Sequence, residues 1–401
     1  MIPELRAKFN RQWTPERYQA FRTSLDARLG CRVEIAVSET PCFFERQTLD
    51  ALSQAGADLV EQLLANKDYL AKARATIPEP FRVPNEANRP LFVCADFGLA
   101  PSGPQGQLEP RLVEIQGFPS LYAFHPIFAR QYVESYGLDP TLTHLLGGLD
   151  ESGYWRLLRE AICAGHDPEN VILMEIDPER QKTFPDFAAT REKIGVPYVC
   201  ITRLHKQGNR LFYEGAGGRQ IPVHRIYNRV IVDEVVRKNV PVPFDWRDDL
   251  QVEWAGHPNW FFLLSKFSIP FFDHPSVPRT LFLDQLAALP DDLDQWVLKP
   301  LFSFAGLGVV VGPTREQTDA IPPAERGAYI LQQRVDFASV IETPHGPTKA
   351  EVRVMYIWLD RLTPVTTIVR MGRGKMMGVD HNKGMAWVGG SVALQPQGQR
   401  E

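Results

Sequence analysis

At 401 residues the chain has material for two or three domains, taking roughly 150 residues per domain. Its 44% hydrophobic and 23% charged content is that of an ordinary globular protein, and a formal net charge of −4 removes the electrostatic case for nucleic acid or an anionic membrane as the main partner. Cys31, Cys42, Cys94, Cys163 and Cys200 are odd in number and show no Cys-x-x-Cys spacing, which argues against a disulfide framework or a zinc site and for a reducing compartment. Charges in Met1–Arg6 stand where a secretory leader needs apolar residues, and no run reaches membrane-spanning length, so a cytoplasmic protein is expected. Nothing in the composition sets an oligomeric state.

Residues 1–80 read as mainly helical. Thr14-Pro15-Glu16 is a helix start, with threonine as cap and proline in the first position. Leu49, Leu52, Ala55, Leu59, Leu63 and Leu64 recur at helical spacing until Ile77-Pro78-Glu79-Pro80 ends the run. Leu91–Leu99 then reads as a strand bearing Asp96, and a Pro- and Gly-rich turn over 100–106 leads to a second strand over 110–119. Along it Glu114 and Gln116 alternate with Val113 and Ile115, so both polar groups leave one face, and Asp96 joins them if the strands pair. Two carboxylates and an amide oxygen are a hard, all-oxygen set suited to Mg2+; the plainer account is an amphipathic hairpin with a solvated polar face.

From Asn170 to Val235 the rhythm is that of an α/β unit: a strand Val171–Met174, a helix through Phe184–Lys193, a strand Tyr198–Ile201, hairpin strands at 211–213 and 220–223, and a strand Arg225–Ile231. Such folds bind ligands at the ends of parallel strands, which makes this a candidate acceptor-binding domain with Tyr122, Arg225 and Tyr227 as candidate contacts. The Gly215–Gly218 cluster opens no helix and reads as a turn rather than a dinucleotide fingerprint.

His257–Phe267 predicts a helix carrying Lys266. Trp296–Gly312 reads as a strand with Lys299 near its end, a loop with Gly306 and Gly308, and a return strand Val309–Val311. A hairpin of this kind can fold over polyphosphate, its glycines letting backbone N–H groups approach the oxygens and its lysine adding a point charge; a plain hairpin with a surface lysine has the same pattern. Ala328–Val335 is a strand with adjacent amides, Gln332 and Gln333. Lys349–Trp358 places Glu351 and Arg353 on one face. The segment Arg370–Gly390, with Arg373, Lys375, Asp380 and Asn382 among its glycines, reads as a ligand-closing loop or a disordered end.

These pieces in this order resemble the ATP-grasp superfamily, specifically the circularly permuted branch that includes glutathionylspermidine synthetase, over roughly residues 90–125 and 255–395. The resemblance implies an α+β, circularly permuted ATP-grasp fold, with two α/β subdomains enclosing the nucleotide and an additional α/β acceptor-binding domain. The chain then divides into a helical segment 1–86, metal-ligand strands 87–165, a substrate domain 166–250, and a lysine and glycine-loop subdomain with a C-terminal lid over 251–401. Asp96, Glu114 and Gln116 look like the family's Mg2+ ligands, with Gln116 in place of the usual asparagine. Lys266 and Lys299 look like its two phosphate-binding lysines. Ala305, Gly306, Leu307 and Gly308 take the place of its mobile glycine loop, and Gln332 or Gln333 that of the amide beside adenine. Cys94 stands where the family has an arginine that stabilises the transferred phosphoryl group, which leaves Arg353, Arg370 or Arg373 for that role. A rival metal placement, in the non-permuted order, is Asp380 with Asn382. The implied activity is ATP-dependent ligation of a small-molecule carboxylate to an amine through an acylphosphate, releasing ADP and phosphate. A small-molecule kinase and a catalytically inactive nucleotide-binding scaffold on the same fold are the competing readings.

Overall fold

The buried apolar run Phe92–Leu99, continued to Ser102, and the alternating run Gln107–Gln116 form the predicted antiparallel hairpin, at one edge of a five-stranded sheet. The strand order is Gly389–Ser391, Leu362–Gly372, Lys349–Trp358, Phe92–Ser102, Gln107–Gln116, with every pairing antiparallel. The computed structural model describes residues 1–102, 107–303, 307–374, 377, 382 and 384–397. Within them the architecture is mixed α+β with several sheets.

The period of two along these strands sorts the side chains of this sheet. Ala95, Phe97, Ile115, Val352, Val354, Val369 and Met371 leave one face and pack with Leu49, Leu52, Leu59 and Leu63 of the helix Arg46–Ala65. On the other face Cys94, Met355 and Ile368 meet Phe124 and Phe128 of the helix Phe124–Tyr136. Beyond the reach of that helix the same face is charged. Asp96 lies opposite Arg353 on one side and Glu114 on the other, and Glu351 lies opposite Arg370. A register shift beside Asp96 makes Val113 an extra residue in its strand, which frees its carbonyl from the ladder.

A second, antiparallel sheet has the order Thr280–Phe282, Tyr329–Gln333, Trp296–Pro300, Val310–Val311. A third, parallel sheet has the order Glu253–Ala255, Arg225–Asn228, Val171–Glu175, Tyr198–Cys200. The helices expected near the N-terminus are present: Thr14 Oγ1 accepts from Arg17 N at 3.3 Å to cap Pro15–Leu29.

Two expectations need correction. The helix carrying Lys266 is only Trp260–Leu263, because Ser265 is extended (φ −144, ψ −174); its hydroxyl caps a separate 3-10 turn, Lys266–Phe271, by accepting from Phe267 N at 3.3 Å. The glycine-rich tail does not begin at Arg370, which lies inside the strand Leu362–Gly372 and is held there by pairing on both sides.

The turn bearing Lys266 is drawn against the strand of Glu114 through Gly117, whose N–H donates to Leu264 O at 3.1 Å. A Cβ on Gly117 would lie 2.5 Å from the Trp260 carbonyl oxygen, a backbone atom that cannot swing aside. Gly117→Ala is therefore expected to cost about 1–3 kcal/mol, read as a lower melting temperature. An unchanged melting temperature would show that the two segments tolerate a wider spacing.

Candidate functional site

A cleft of about 780 Å3 is lined by residues of the three sheets just described. Its floor is the charged face of the five-stranded sheet. There Asp96, 0% exposed, receives Arg353 Nε on Oδ1 and Arg353 Nη2 on Oδ2, each at 2.6 Å, and Arg370 Nη2 reaches the same Oδ2 at 2.6 Å. The fork-on-carboxylate contact follows from the register, which sets Arg353 directly across from Asp96. Arg370 also pairs with Glu351. Burial acts to lower the Arg353 pKa, but Asp96 outweighs it and raises it well above the ordinary value.

Beside this network, Lys266 Nζ lies 2.7 Å from Glu114 Oε1 and donates to the Ser303 carbonyl at 2.8 Å. Lys299 Nζ donates to the freed Val113 carbonyl at 2.9 Å and to Gln332 Oε1, while Gln332 Nε2 donates to Leu112 O at 3.3 Å. Burial would push the Glu114 carboxyl up, but Lys266, and then Lys299 and Arg353, overcome it and hold it at about 2. Burial pushes the Lys299 ammonium down to about 8, against the pull of Glu114. With Lys349 also in the lining, cations outnumber the carboxylates Asp96, Glu114 and Glu351 at this end, an arrangement that attracts a polyanion.

The other end is formed where the parallel strands finish. Glu175 closes Val171–Glu175, and Arg229 immediately follows Arg225–Asn228. Glu175 is 6% exposed and its Oε1 accepts from Ile176 N at 2.7 Å. Burial pushes its carboxyl up to about 8, with that N–H and Arg229 opposing. Arg229, 7% exposed, sits 4.5 Å over the Phe118 ring and donates Nη1 to Pro119 O at 2.7 Å. Ser120, Gln181, Thr183 and Glu234 complete this end.

Of the residues singled out from the sequence, Glu114, Gln116, Lys266, Lys299, Gln332, Gln333, Arg353 and Arg370 line this one cleft. Asp96 does not: it lies beneath the floor with both oxygens taken by guanidinium groups, so it presents none to a ligand. Arg373 does not join either, since it donates to Ala386 O at 2.7 Å and Thr343 Oγ1 at 3.1 Å. Leu307 and Gly308 are not part of the lining, and Ala305 and Gly306 lie outside the described residues. The same holds for Asp380 of the rival metal pair, while Asn382 is buried and accepts from the N–H groups of Arg373 and Gly374, each at 3.2 Å. Among the described residues, no group of three or more His, Cys, Asp or Glu side chains is placed to hold a metal.

The expected acceptor contacts are likewise corrected. Tyr122 donates to Tyr356 O at 2.8 Å, Tyr227 is buried against Phe92, and Arg225 donates to Ala161 O, Ile162 O and Glu253. Sequence reasoning missed Glu175, Arg229 and Glu234. The signal for the first two was present: each is a charged residue ending a buried strand run, Val-Ile-Leu-Met-Glu and Arg-Ile-Tyr-Asn-Arg, where such sheets take ligands.

The α+β fold built on these sheets resembles that of a glutathione synthetase-like protein. The chain is similar to a glutathione synthetase-like effector, GSS30, from Globodera pallida, solved in its apoform. The TM-score is 0.61 at 11% sequence identity, over 95% of this chain and 96% of that chain. No protein-family model and no curated protein matches the sequence. Among the described residues no helix is long and apolar enough to cross a membrane.

Two measurements probe the groups described above. Asp96→Asn strips two buried guanidinium groups of their shared carboxylate and is expected to cost about 3–5 kcal/mol in denaturant unfolding. Glu175 has an ordinary carboxyl pKa of 4.5 when unfolded and about 8 when folded, so between those values the native state holds a proton that the unfolded state has lost. Its contribution to stability is therefore full below 4.5 and is lost as pH rises toward 8. Glu175→Gln should remove that loss, melting above the parent at alkaline pH and close to it at about pH 4; equal pH slopes in the two proteins would contradict the assignment.

Proposed function

We propose that the protein is an ATP-dependent carboxylate–amine ligase on a circularly permuted ATP-grasp fold, activating a small-molecule carboxylate as its acylphosphate and passing it to an amine, with release of ADP and phosphate. The observation that carries this reading is the convergence of Lys266, Lys299, Arg353 and Arg370 on one cleft floor, beside Glu114 and Gln116. Phosphoryl transfer asks the protein mainly for positioning and charge neutralisation, which this floor is built to give.

Lys266 and Lys299 would bind nucleotide phosphates, Lys266 exchanging Glu114 for a phosphate oxygen as the ligand enters. Arg353 and Arg370, held by Asp96, would face the phosphoryl group and the substrate carboxylate. They take over the role of the arginine that Cys94, fully buried, cannot supply. Val297, Val309, Val311 and Val335 give the cleft an apolar wall beside Gln333, suited to the adenine ring. Glu114 and Gln116 offer a carboxylate and an amide oxygen from one strand face, which suits a Mg2+ whose shell is completed by phosphate and water. Bound there, the ion would neutralise phosphate charge; Asp96 serves instead as the anchor of the arginines. Met377 lines the cleft, and its apolar side chain would help keep water from the acylphosphate.

A non-catalytic nucleotide-binding protein is the second reading. The filling of Asp96 by two guanidinium groups favours it, because one of the three expected metal oxygens is withdrawn.

Lys299→Ala is expected to weaken binding of an ATP analogue at least about tenfold, or about 1.4 kcal/mol, by calorimetry. Glu114→Ala should bind the analogue but lose ADP formation. In a screen of carboxylates and amines, ADP release that requires both supports the ligase. Release with one alone points to a kinase, and nucleotide binding without turnover points to the second reading.

A further inference from the structure

Away from the cleft, the first helix and the last part of the chain meet around a buried cation that no carboxylate neutralises. Arg6, in the helix Pro3–Gln12, is 4% exposed. Its Nε donates to Asn10 Oδ1 at 2.9 Å, and its Nη1 to Thr40 Oγ1 at 2.6 Å and Pro41 O at 3.0 Å, all of them neutral acceptors. Among the described residues it makes no ion pair, and its Nη2 is buried with no acceptor in the protein. Burial pushes its pKa down only to about 10, which leaves it charged at neutral pH. The Cys42 thiol and the Tyr132 phenol would balance it if they ionised. Burial holds the thiol at about 12 and the phenol well above its ordinary value, so both stay neutral.

Trp387 stands against the same guanidinium, its ring centre 5.7 Å from Arg6 Cζ. It is fully buried, and its indole N–H also lacks an acceptor. Its backbone lies in the left-handed region at φ +59, a costly conformation for a bulky residue that persists only where the surroundings hold it. Its backbone N–H donates to Glu39 Oε2 at 2.7 Å, which spends that oxygen on Trp387 rather than on Arg6. The Phe9 and Phe43 ring centres lie 4.8 and 5.5 Å from Arg6 Cζ, and half-buried Trp13 packs on Trp387 with ring centres 5.0 Å apart. Ring faces attract the cation but do not supply the full negative charge that would balance it.

We propose that Arg6 and Trp387 form a binding site for a small monovalent inorganic anion, of the chloride, bromide or nitrate kind, that accepts from Arg6 Nη2 and from the Trp387 indole N–H. Guanidinium and indole only donate, so a ligand that only accepts satisfies both, whereas a water molecule leaves the charge unbalanced. One cation calls for one negative charge. Aromatic surroundings offer little to replace a tight hydration shell, which selects weakly hydrated anions over fluoride and sulfate. The bound anion would join the helix Pro3–Gln12 to the residues just before the strand Gly389–Ser391, and the site does not depend on the nucleotide reading.

The test is thermal unfolding of the full chain in sodium bromide, with sodium fluoride holding the ionic strength constant, together with anomalous scattering from a crystal equilibrated in bromide. Well above the dissociation constant, the melting temperature should rise by about 1–2 °C for each tenfold increase in bromide. An anomalous peak should lie between Arg6 and Trp387. Trp387→Phe, which keeps a ring and loses the N–H, should weaken bromide about tenfold. Arg6→Gln should abolish the dependence, and Lys299→Ala in the cleft should keep it. If Arg6→Gln does not fold, Trp387→Phe and the anomalous peak decide. Absence of any bromide dependence, a dependence unchanged in Trp387→Phe or removed by Lys299→Ala, or density beside Arg6 with no anomalous signal, as a buried water would give, overturns the site.

Discussion

The contact of Asp96 with Arg353 and Arg370 fixes the geometry on which the rest of the cleft depends. Three strands supply its three members, and the register brings both guanidinium groups onto the one carboxylate. A long, rotamer-rich side chain ordinarily loses much conformational freedom when it is ordered for a ligand. Here that loss is already taken in folding, because Arg353 is clamped at two nitrogens and Arg370 is shared between Asp96 and Glu351. Two preorganised cations result, aimed along one face of a sheet whose other face is a hydrophobic core.

The neighbouring lysines follow the same logic with weaker restraints. Lys266 rests on Glu114, and Lys299 on an amide and a carbonyl made available by a strand irregularity. Lys266, Lys299, Arg353 and Arg370 each have a protein partner, so a polyanion must replace partners rather than enter an empty field. Replacement favours a ligand that satisfies several cations at once, since giving up one internal contact for one external contact gains little.

The two ends of the cleft differ in how they are made. The lysine end comes from the faces of antiparallel sheets, where side chains alternate and cross-strand partners are set by register. The other end comes from the edge of a parallel sheet, where residues just past the strands are released from the ladder and turn toward the ligand.

The sequence by itself determined the strands that carry Asp96, Glu114, Lys299 and Arg353 and the side of the hairpin on which Glu114 and Gln116 lie, because periodicity is a local property written into neighbouring residues; it did not determine the strand Leu362–Gly372, nor the break at Asn66 that divides the expected helical run into Arg46–Ala65 and Lys67–Ala75. It also picked out both lysines and two of the three arginines that matter. What it could not determine was which carboxylate meets which cation. Asp96 and Glu114 look alike along their strands, yet one is sealed under two arginines and the other opens to the cleft, and that difference is made by Lys349–Trp358 and Leu362–Gly372, far along the chain. Arg373 looked equivalent to Arg370 until a turn of chain past Gly372 carried it to Thr343 and Ala386. Burial and charge pairing depend on residues distant in sequence and close in space, so only the tertiary structure decided them.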